Sequence, residues 1–279
     1  METNKVWFIT GASKGMGLSL VKKLIVAGYS VAATSRKSQR LIDAVGHVEG
    51  PGFLPLEVDL TSEKSINEAF ERTVAHFGKI DVLVNNAGYG IGGAVEEINQ
   101  EEIKDSFNIN VMAVIKTMQS AMPYFRQQKS GNIINISSIA GFAPGIGWAM
   151  YAATKYAVTG LSEVMAEDVK EFGVKVTMVA PGAFRTEFLD ENSLVFAEKK
   201  IDGYTAVRSS HEKYAAMNGS QIGNPELLAQ VFIDLVKNPN PPVRLYLGSD
   251  AYKRATEKVE LLSEELESNK YISYSTDFN

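Results

Sequence analysis

Val6-Trp7-Phe8-Ile9-Thr10-Gly11-Ala12-Ser13-Lys14-Gly15-Met16-Gly17 is the stretch that decides the fold. Lys5 to Thr10 is an apolar run bounded by a glycine turn, which reads as a buried strand. Leu18 to Ala27 then reads as a helix, and Gly28 ends it. In a strand, glycine-rich turn and helix of this kind, backbone N–H groups at the helix N-terminus attract a pyrophosphate, with no Cβ in the way. The spacing is GxxxGxG, not the GxGxxG of the commoner dinucleotide fingerprint. A glycine-rich turn without a ligand is the competing reading, and the position directly after the first strand weighs against it.

Outward from this unit, further strands are expected at Ser30 to Ser35, Phe53 to Val58, Ile80 to Val84, Asn132 to Ile136, Val174 to Val179 and Val243 to Leu247. Helical patterns lie between them. Thr61 or Ser62 can cap a helix that runs to Phe77, where Gly78 stops it. Gln100 to Gln128 reads as one long helix, kinked or shortened near its end by Pro123. Asn110 lies in its middle, where asparagine is disfavoured and needs a reason. Tyr156 to Phe172 and Pro225 to Lys237 are further helices, and Asn238 to Pro242 is a turn. Strands alternating with helices imply a parallel α/β sheet covered on both faces, in one domain over residues 1–279. Residues 187–222 mix aromatics with charges and are too long for a plain connector, so a lid is expected there. Residues 250–279 form a C-terminal extension whose stripe Ala251, Ala255, Val259, Leu262 and Leu266 has helical spacing. From Ser268 the chain is polar and expected to fray.

Composition narrows the function. A net charge of −5 argues against nucleic acid as a partner. There is no cysteine, so disulfides and thiolate metal sites are excluded. His47, His76 and His211 lack metal-ligand spacing, and no metal is expected. No signal peptide precedes the first strand, and no apolar run approaches the ~20 residues of a membrane span. A cytoplasmic protein is expected.

A second stretch carries chemistry. Ser138 follows the Asn132 to Ile136 strand, a loop with Gly141, Pro144, Gly145 and Gly147 comes next, and Tyr151 and Lys155 open a helix. Spacing of i, i+4 puts the phenol and the ammonium on one face. A phenol ordinarily titrates at about 10, and a neighbouring cation should lower that value. An acid/base tyrosine tuned by lysine is one reading; a helix that merely carries both residues is the other. At the end of the second strand, Ser35 and Arg36 stand where a carboxylate would grip the ribose 2′-OH of NAD. With Lys14 in the glycine turn, they would suit a 2′-phosphate; solvated surface charge is the bland alternative. Asn85-Asn86-Ala87-Gly88 follows the fourth strand, at the sheet edge where such folds bind ligands.

Taken together, Thr10-Gly11-x-x-x-Gly15-x-Gly17, Asp59, Asn85-Asn86-Ala87-Gly88, Asn110, Ser138, Tyr151-x-x-x-Lys155, and Pro181-Gly182 with Thr186 resemble the short-chain dehydrogenase/reductase family across most of the chain. The resemblance implies a Rossmann-like doubly wound sheet of about seven strands. It also implies NADP(H)-dependent hydride transfer with a carbonyl or secondary alcohol. Tyr151 would be the acid, and Ser138 would hold the substrate oxygen, with Ser137 as the alternative. Lys155 would bind the nicotinamide ribose and lower the Tyr151 pKa, and Asn110 would hold a water leading to Lys155. Cofactor contacts would come from Gly11, Ser13, Lys14, Gly15, Met16, Gly17, Ser35, Arg36, Asp59, Leu60, Asn86, Ala87, Gly88, Tyr151, Lys155, Pro181, Gly182, Phe184 and Thr186.

Phe142, Trp148 and Phe188 could line an apolar substrate pocket, or pack the lid onto the core. Competing functions are a non-catalytic NADP-binding regulator and an epimerase or dehydratase on the same fold. A homo-oligomer is expected, a dimer rather than a tetramer, paired through the helices that carry Asn110 and Tyr151. In that scheme the C-terminal helix folds back over the second interface, and its net charge of −3 opposes self-pairing; the alternative is that its stripe forms that interface.

Overall fold

The computed structural model describes residues 5–46, 48, 50–190 and 193–278, so His47 lies outside the described residues. Its elements, in order, are β1 (Val6–Ile9), α1 (Gly15–Val26), β2 (Ser30–Ser35), α2 (Ser38–Val45), β3 (Phe53–Glu57), α3 (Glu63–Phe77), β4 (Val82–Asn85), β5 (Gly90–Gly92) and α4 (Gln100–Phe107). There follow a π-helical turn (Asn108–Met112), α5 (Ala113–Gln128), β6 (Gly131–Ile136), α6 (Ala149–Asp168), β7 (Val174–Pro181) and β8 (Leu194–Phe196). The last are α7 (Thr205–Ala216), α8 (Pro225–Lys237), β9 (Arg244–Leu247), α9 (Ser249–Ser268) and α10 (Lys270–Tyr274).

Seven parallel strands form one sheet in the order β3-β2-β1-β4-β6-β7-β9. From β1 the chain winds outward one way to β3, then returns to β4 and winds the other way. The reversal leaves a crevice between β1 and β4 at their C-terminal ends, where ligands of such sheets bind. Trp7 pairs with Val31 on one side and Val82 on the other, so β1 is buried between neighbours. On one face α1 and α8 pack Leu20, Leu24, Leu228 and Phe232 onto the sheet. On the other, α3, α5 and α6 supply Phe70, Met118, Phe125 and Val158, with Phe8 and Phe70 stacked at 4.2 Å between centroids. Each such buried side chain contributes about 1.5–3 kcal/mol.

Helix α1 begins at Gly15, three residues before its apolar pattern does, so Gly15 and Gly17 are its first turn. Helix α2 buries only Leu41, too little periodicity to announce itself. Ser62 caps α3 by accepting from Ser65 N, and Gly78 ends it in the left-handed region at φ 81°. The expected long helix is divided by the π turn at Asn110, not at Pro123. Pro123 sits inside α5, where its missing N–H would have served Gln119 on the exposed side. The C-terminus is helical through α9 and α10, where fraying was expected from Ser268. Only Ala251 and Ala255 of α9 are buried, so the helix does not fold back over the body. Among the described residues, no helix is long and apolar enough to cross a membrane.

Residues 187–222 run over the strand ends. Their β8 pairs in parallel with β5, Gly90 opposite Leu194. Glu97, buried below them, accepts from Ala94 N at 2.8 Å, Ile201 N at 2.8 Å and the Arg208 guanidinium. The Ile201 N–H, then Ala94 N–H and Arg208, overcome its burial and hold the Glu97 carboxyl down at about 2.

Candidate active site

Ser137 and Ser138 leave β6 in opposite directions. The Ser137 hydroxyl is buried, donating to Lys155 O at 2.9 Å and lying 3.0 Å from Thr159 Oγ1. It fastens β6 to α6. Ser138 faces the cavity beside Tyr151, its Oγ accepting from Ala140 N at 3.1 Å. Ser138 thus presents its hydroxyl to the cavity, while the Ser137 hydroxyl is engaged with α6.

Helix α6 begins at Ala149, which places Tyr151 and Lys155 in its first two turns. Lys155 is buried, its Nζ donating to Ile136 O at 2.9 Å and lying 5.7 Å from the Tyr151 ring centroid. Burial pulls the Lys155 ammonium down to about 8. Burial likewise pushes the Tyr151 phenol up to about 12, against the hydrogen bond from Ser138. Desolvation dominates at this phenol, and the Ser138 hydroxyl is the one group that opposes it. At neutral pH the phenol is therefore protonated, as a proton donor must be.

Asn110 is fully buried in the π turn. Its side chain accepts from Tyr89 N at 3.0 Å and donates to Tyr89 O at 2.9 Å and Thr154 Oγ1 at 3.1 Å. π turns recur at functional sites, and here one aims an amide at the loop after β4. A Cβ on Gly88 would lie 3.0 Å from Asn110 Oδ1 and 3.4 Å from Lys155 Nζ, so a side chain there would crowd both groups.

The glycine turn is fixed from below. Asn86 Nδ2 donates to Thr10 O at 3.0 Å and Gly11 O at 2.9 Å, while Thr10 Oγ1 accepts from Asn86 N and Ala87 N. Gly11 has φ 64°, and a Cβ there would lie 2.7 Å from Ala87 Cα. At the start of α1, Gly15 N donates to Glu187 Oε2 at 3.0 Å. A carboxylate already sits where a pyrophosphate would, and the bare Gly15 backbone admits it; the turn fits a dinucleotide. Ser13, Lys14 and Met16 complete this turn.

Beyond it, Ser35 Oγ donates to Lys37 O at 2.5 Å and Arg36 is exposed. Glu57 stands opposite Ser35 and accepts from Ser38 N at 3.2 Å, so a carboxylate reaches this zone from β3. Asp59 lies two residues past β3; its carboxyl accepts from Thr61 Oγ1 and Thr61 N and is lowered by them. Leu60 packs into the core beneath.

A cavity of about 390 Å³ opens above Ser138 and Tyr151. Met16, Pro181, Gly182, Phe184 and Thr186 line this cavity, as do Trp148 and Phe188. Phe142 is not in this lining: it packs on Tyr246 beside Ile139, Ala251 and Ala255. Trp148 packs edge-on to His211 at 5.0 Å and Tyr214 at 4.9 Å, so this aromatic both lines the cavity and holds the cover. The sequence reading missed Leu194, Tyr214, Met217 and Gln221, which segment 187–222 brings to the wall, and Asp250 and Arg254 from α9. Gln221 is 3% exposed, and neither of its amide atoms has a partner among the described residues. No short motif marks these positions. Asp250 Oδ2 accepts from Ala183 N at 2.8 Å, and Gly182 has no Cβ because one would lie 2.2 Å from Asp250 Oδ1.

Comparison with known proteins agrees with this geometry. The short chain dehydrogenase family model matches residues 5–194. The chain is 34% identical over 260 residues to oxidoreductase BOA17 of Botryotinia fuckeliana, covering 93% of this chain and 94% of that one. It is 35% identical over 245 residues to a 3-ketodihydrosphingosine reductase of Bacteroides thetaiotaomicron, covering 88% of each. A short-chain dehydrogenase structure from Streptomyces avermitilis superposes with a TM-score of 0.89 at 33% identity, covering 98% of this chain and 100% of that one. With its glycine turn, strand-end serine and buried Tyr–Lys pair, the chain belongs to the short-chain dehydrogenase family of oxidoreductases.

Proposed function

We propose that this protein is an NADP(H)-dependent reductase of hydrophobic ketones, running also as the alcohol dehydrogenase. One observation carries the reading: the Tyr151 phenol, held protonated by burial, and the Ser138 hydroxyl face one cavity with largely apolar walls. When bound, the nicotinamide supplies or accepts a hydride. Ser138 holds the substrate oxygen, and Tyr151 gives it a proton. Lys155, still charged below about pH 8, opposes the negative charge left on the phenol. Asn110 fixes the loop at Gly88 beside Lys155 and supports a water path to it. The residues of the glycine turn, with Ser35, Arg36, Asp59, Asn86, Gly88, Phe184 and Thr186, hold the dinucleotide. Segment 187–222 is the lid. Hydrophobic substrates agree with the lining and with the name of the Bacteroides relative, 3-ketodihydrosphingosine reductase. Pairing through α5 and α6 agrees with exposed Met112, Tyr156 and Val164 on and beside those helices.

Loss of NADPH absorbance against a panel of ketones, aldehydes and 3-oxoacyl thioesters tests the reading. Turnover of a long-chain ketone supports it; binding of NADPH without turnover of any carbonyl points to a regulator instead. Preference for the 2′-phosphate is tested with Arg36→Ala. Charge-assisted bonds to phosphate contribute about 1.5–3 kcal/mol, so NADPH should bind about 10–100 times more weakly while NADH is little changed. Equal or better use of NADH by the unaltered protein would mean that Glu57, not Arg36, governs this zone.

A further inference from the structure

Among the described residues, the buried side-chain polar atoms that lack a hydrogen-bond partner gather around one space. Trp148 Nε1, Asp250 Oδ1 and both amide atoms of Gln221 belong to residues that line the cavity at Tyr151. The others, Trp7 Nε1, Thr34 Oγ1 and Ser106 Oγ, are not part of its wall. The three residues of the wall differ in what else engages them. Asp250 uses its second oxygen on Ala183 N, and the Trp148 ring packs on His211 and Tyr214. Gln221 has its whole functional group unengaged, yet its backbone is fastened. Gln221 O accepts from Arg185 Nε at 3.1 Å. Two residues on, Gly223 N donates to Ala183 O and Gly223 O accepts from Arg185 N, each at 2.9 Å. The residue is thus held at the cavity by a firm backbone, not left there by a loose one.

A buried amide without a partner destabilises the fold. It becomes favourable when a ligand supplies what is missing, and the missing set is specific. Nε2 needs an acceptor and Oε1 needs a donor. A carboxylate only accepts and an ammonium only donates, whereas a hydroxyl or an amide does both. Phe184, Phe188, Leu194 and Met217 in the same wall offer no competing side-chain hydrogen bond.

We propose that Gln221 is a specificity-determining residue that reads a second polar group of the substrate, an uncharged hydroxyl or amide carried apart from the reacting carbonyl. This rests on the reductase reading above. The side chain meets that group by rotation about its own bonds, while the backbone stays fastened to the loop after β7. The preferred substrate is then a hydroxylated or amide-bearing ketone, not a bare hydrocarbon one.

The test compares long-chain ketones that bear a hydroxyl or an amide at successive carbons, each against the parent without it. For the best-placed group, kcat/KM of the unaltered protein should exceed that of the parent ketone by about ten- to a hundredfold. Gln221→Met, which keeps the side-chain length, should bring that ratio to about 1. Unfolding of the same variant without ligand gives an independent readout: loss of the unpaired amide should raise the denaturant midpoint. Equal use of every pair by the unaltered protein would overturn the proposal. So would a Gln221→Met variant that keeps the preference, or one that unfolds at lower denaturant, since the amide would then be bonded within the protein. A variant that loses NADPH affinity but keeps the preference would assign the amide to the dinucleotide, and also overturn it. If no ketone is turned over, the reductase reading fails. The same pairs are then compared by the rise in Tm that each gives in the presence of NADP+, and equal rises overturn the role of Gln221 while a larger rise with the polar member supports it.

Discussion

The ledge that carries Ser138, Tyr151 and Lys155 and the cover formed by residues 187–222 face the same cavity but are held by different means. The ledge is a strand end and the first turns of a 20-residue helix, both rooted in the core. Buried bonds tie it from behind, Ser137 to Lys155 O and Asn135 Nδ2 to Ser162 Oγ at 2.9 Å. The cover has a three-residue strand, one turn of 3₁₀ helix and α7. It is held by the pairing of β8 with β5, at Glu97 and by the aromatic group around Trp148. A rigid floor keeps the reacting groups aligned, while a cover fastened at few points can open.

The largest effect is expected on the ledge. Tyr151→Phe keeps the ring and removes the proton donor, so turnover should fall by about 10²-fold or more with NADPH binding nearly unchanged. Retained turnover on a good ketone would move the chemistry off the ledge.

Lys155 sharpens the contrast through stability. Its pKa falls from about 10.5 unfolded to about 8 folded, because burial disfavours the charge. Below pH 8 both states hold the proton and the fold bears the whole cost, about 3 kcal/mol. As pH rises above 8 the unfolded chain binds more protons, so stability should climb. Above about 10 it should fall again, because Tyr151 keeps its proton to about 12 in the fold. Lys155→Met should abolish turnover, unfold at higher denaturant at pH 7, and lose the rise between pH 8 and 10. A variant weaker than the parent at pH 7 would show that the bond to Ile136 O outweighs desolvation.

For the cover, Glu97 is the point to cut. Its lowered pKa gives a contribution present above about 4.5 and lost as pH falls through about 2. Limited proteolysis within residues 193–222 should therefore speed up in acid. Glu97→Gln should show several-fold faster cutting already at pH 7, with the ledge intact. Equal cutting rates would mean that the strand pairing and the aromatic group hold the cover without it.

The smallest effect is expected at Glu187. Glu187→Gln removes the anion bonded to Gly15 N, so NADPH and NADH should both bind a few times more tightly, and equally, since the pyrophosphate is common to both. Fluorescence titration measures this; a gain for one dinucleotide alone would place Glu187 elsewhere.

The same difference explains what could be read from the sequence. The glycine turn, the seven strands of the main sheet to within two residues, helix α8 and the Ser138–Tyr151–Lys155 set follow from neighbours in the chain, where periodicity and i, i+4 spacing operate. Helix α2 escaped because Leu41 alone is buried, and the π turn because one extra residue does not disturb an apolar pattern. Phe142 was assigned to the pocket by residue type, yet α9, more than a hundred residues later, claims it for a different cluster. Gln221, Glu97 and Glu187 depend on contacts made across the cover, to which no local pattern points.

Glu187 follows Thr186 directly, so the carboxylate resting on the N-terminus of α1 is hinged to the first turn of the cover. A dinucleotide that displaces it moves that turn as well. For the proposed reductase, the expected steady-state pattern is ordered: cofactor on first and off last, with NADP+ competing against NADPH and product alcohol a mixed inhibitor against both substrates.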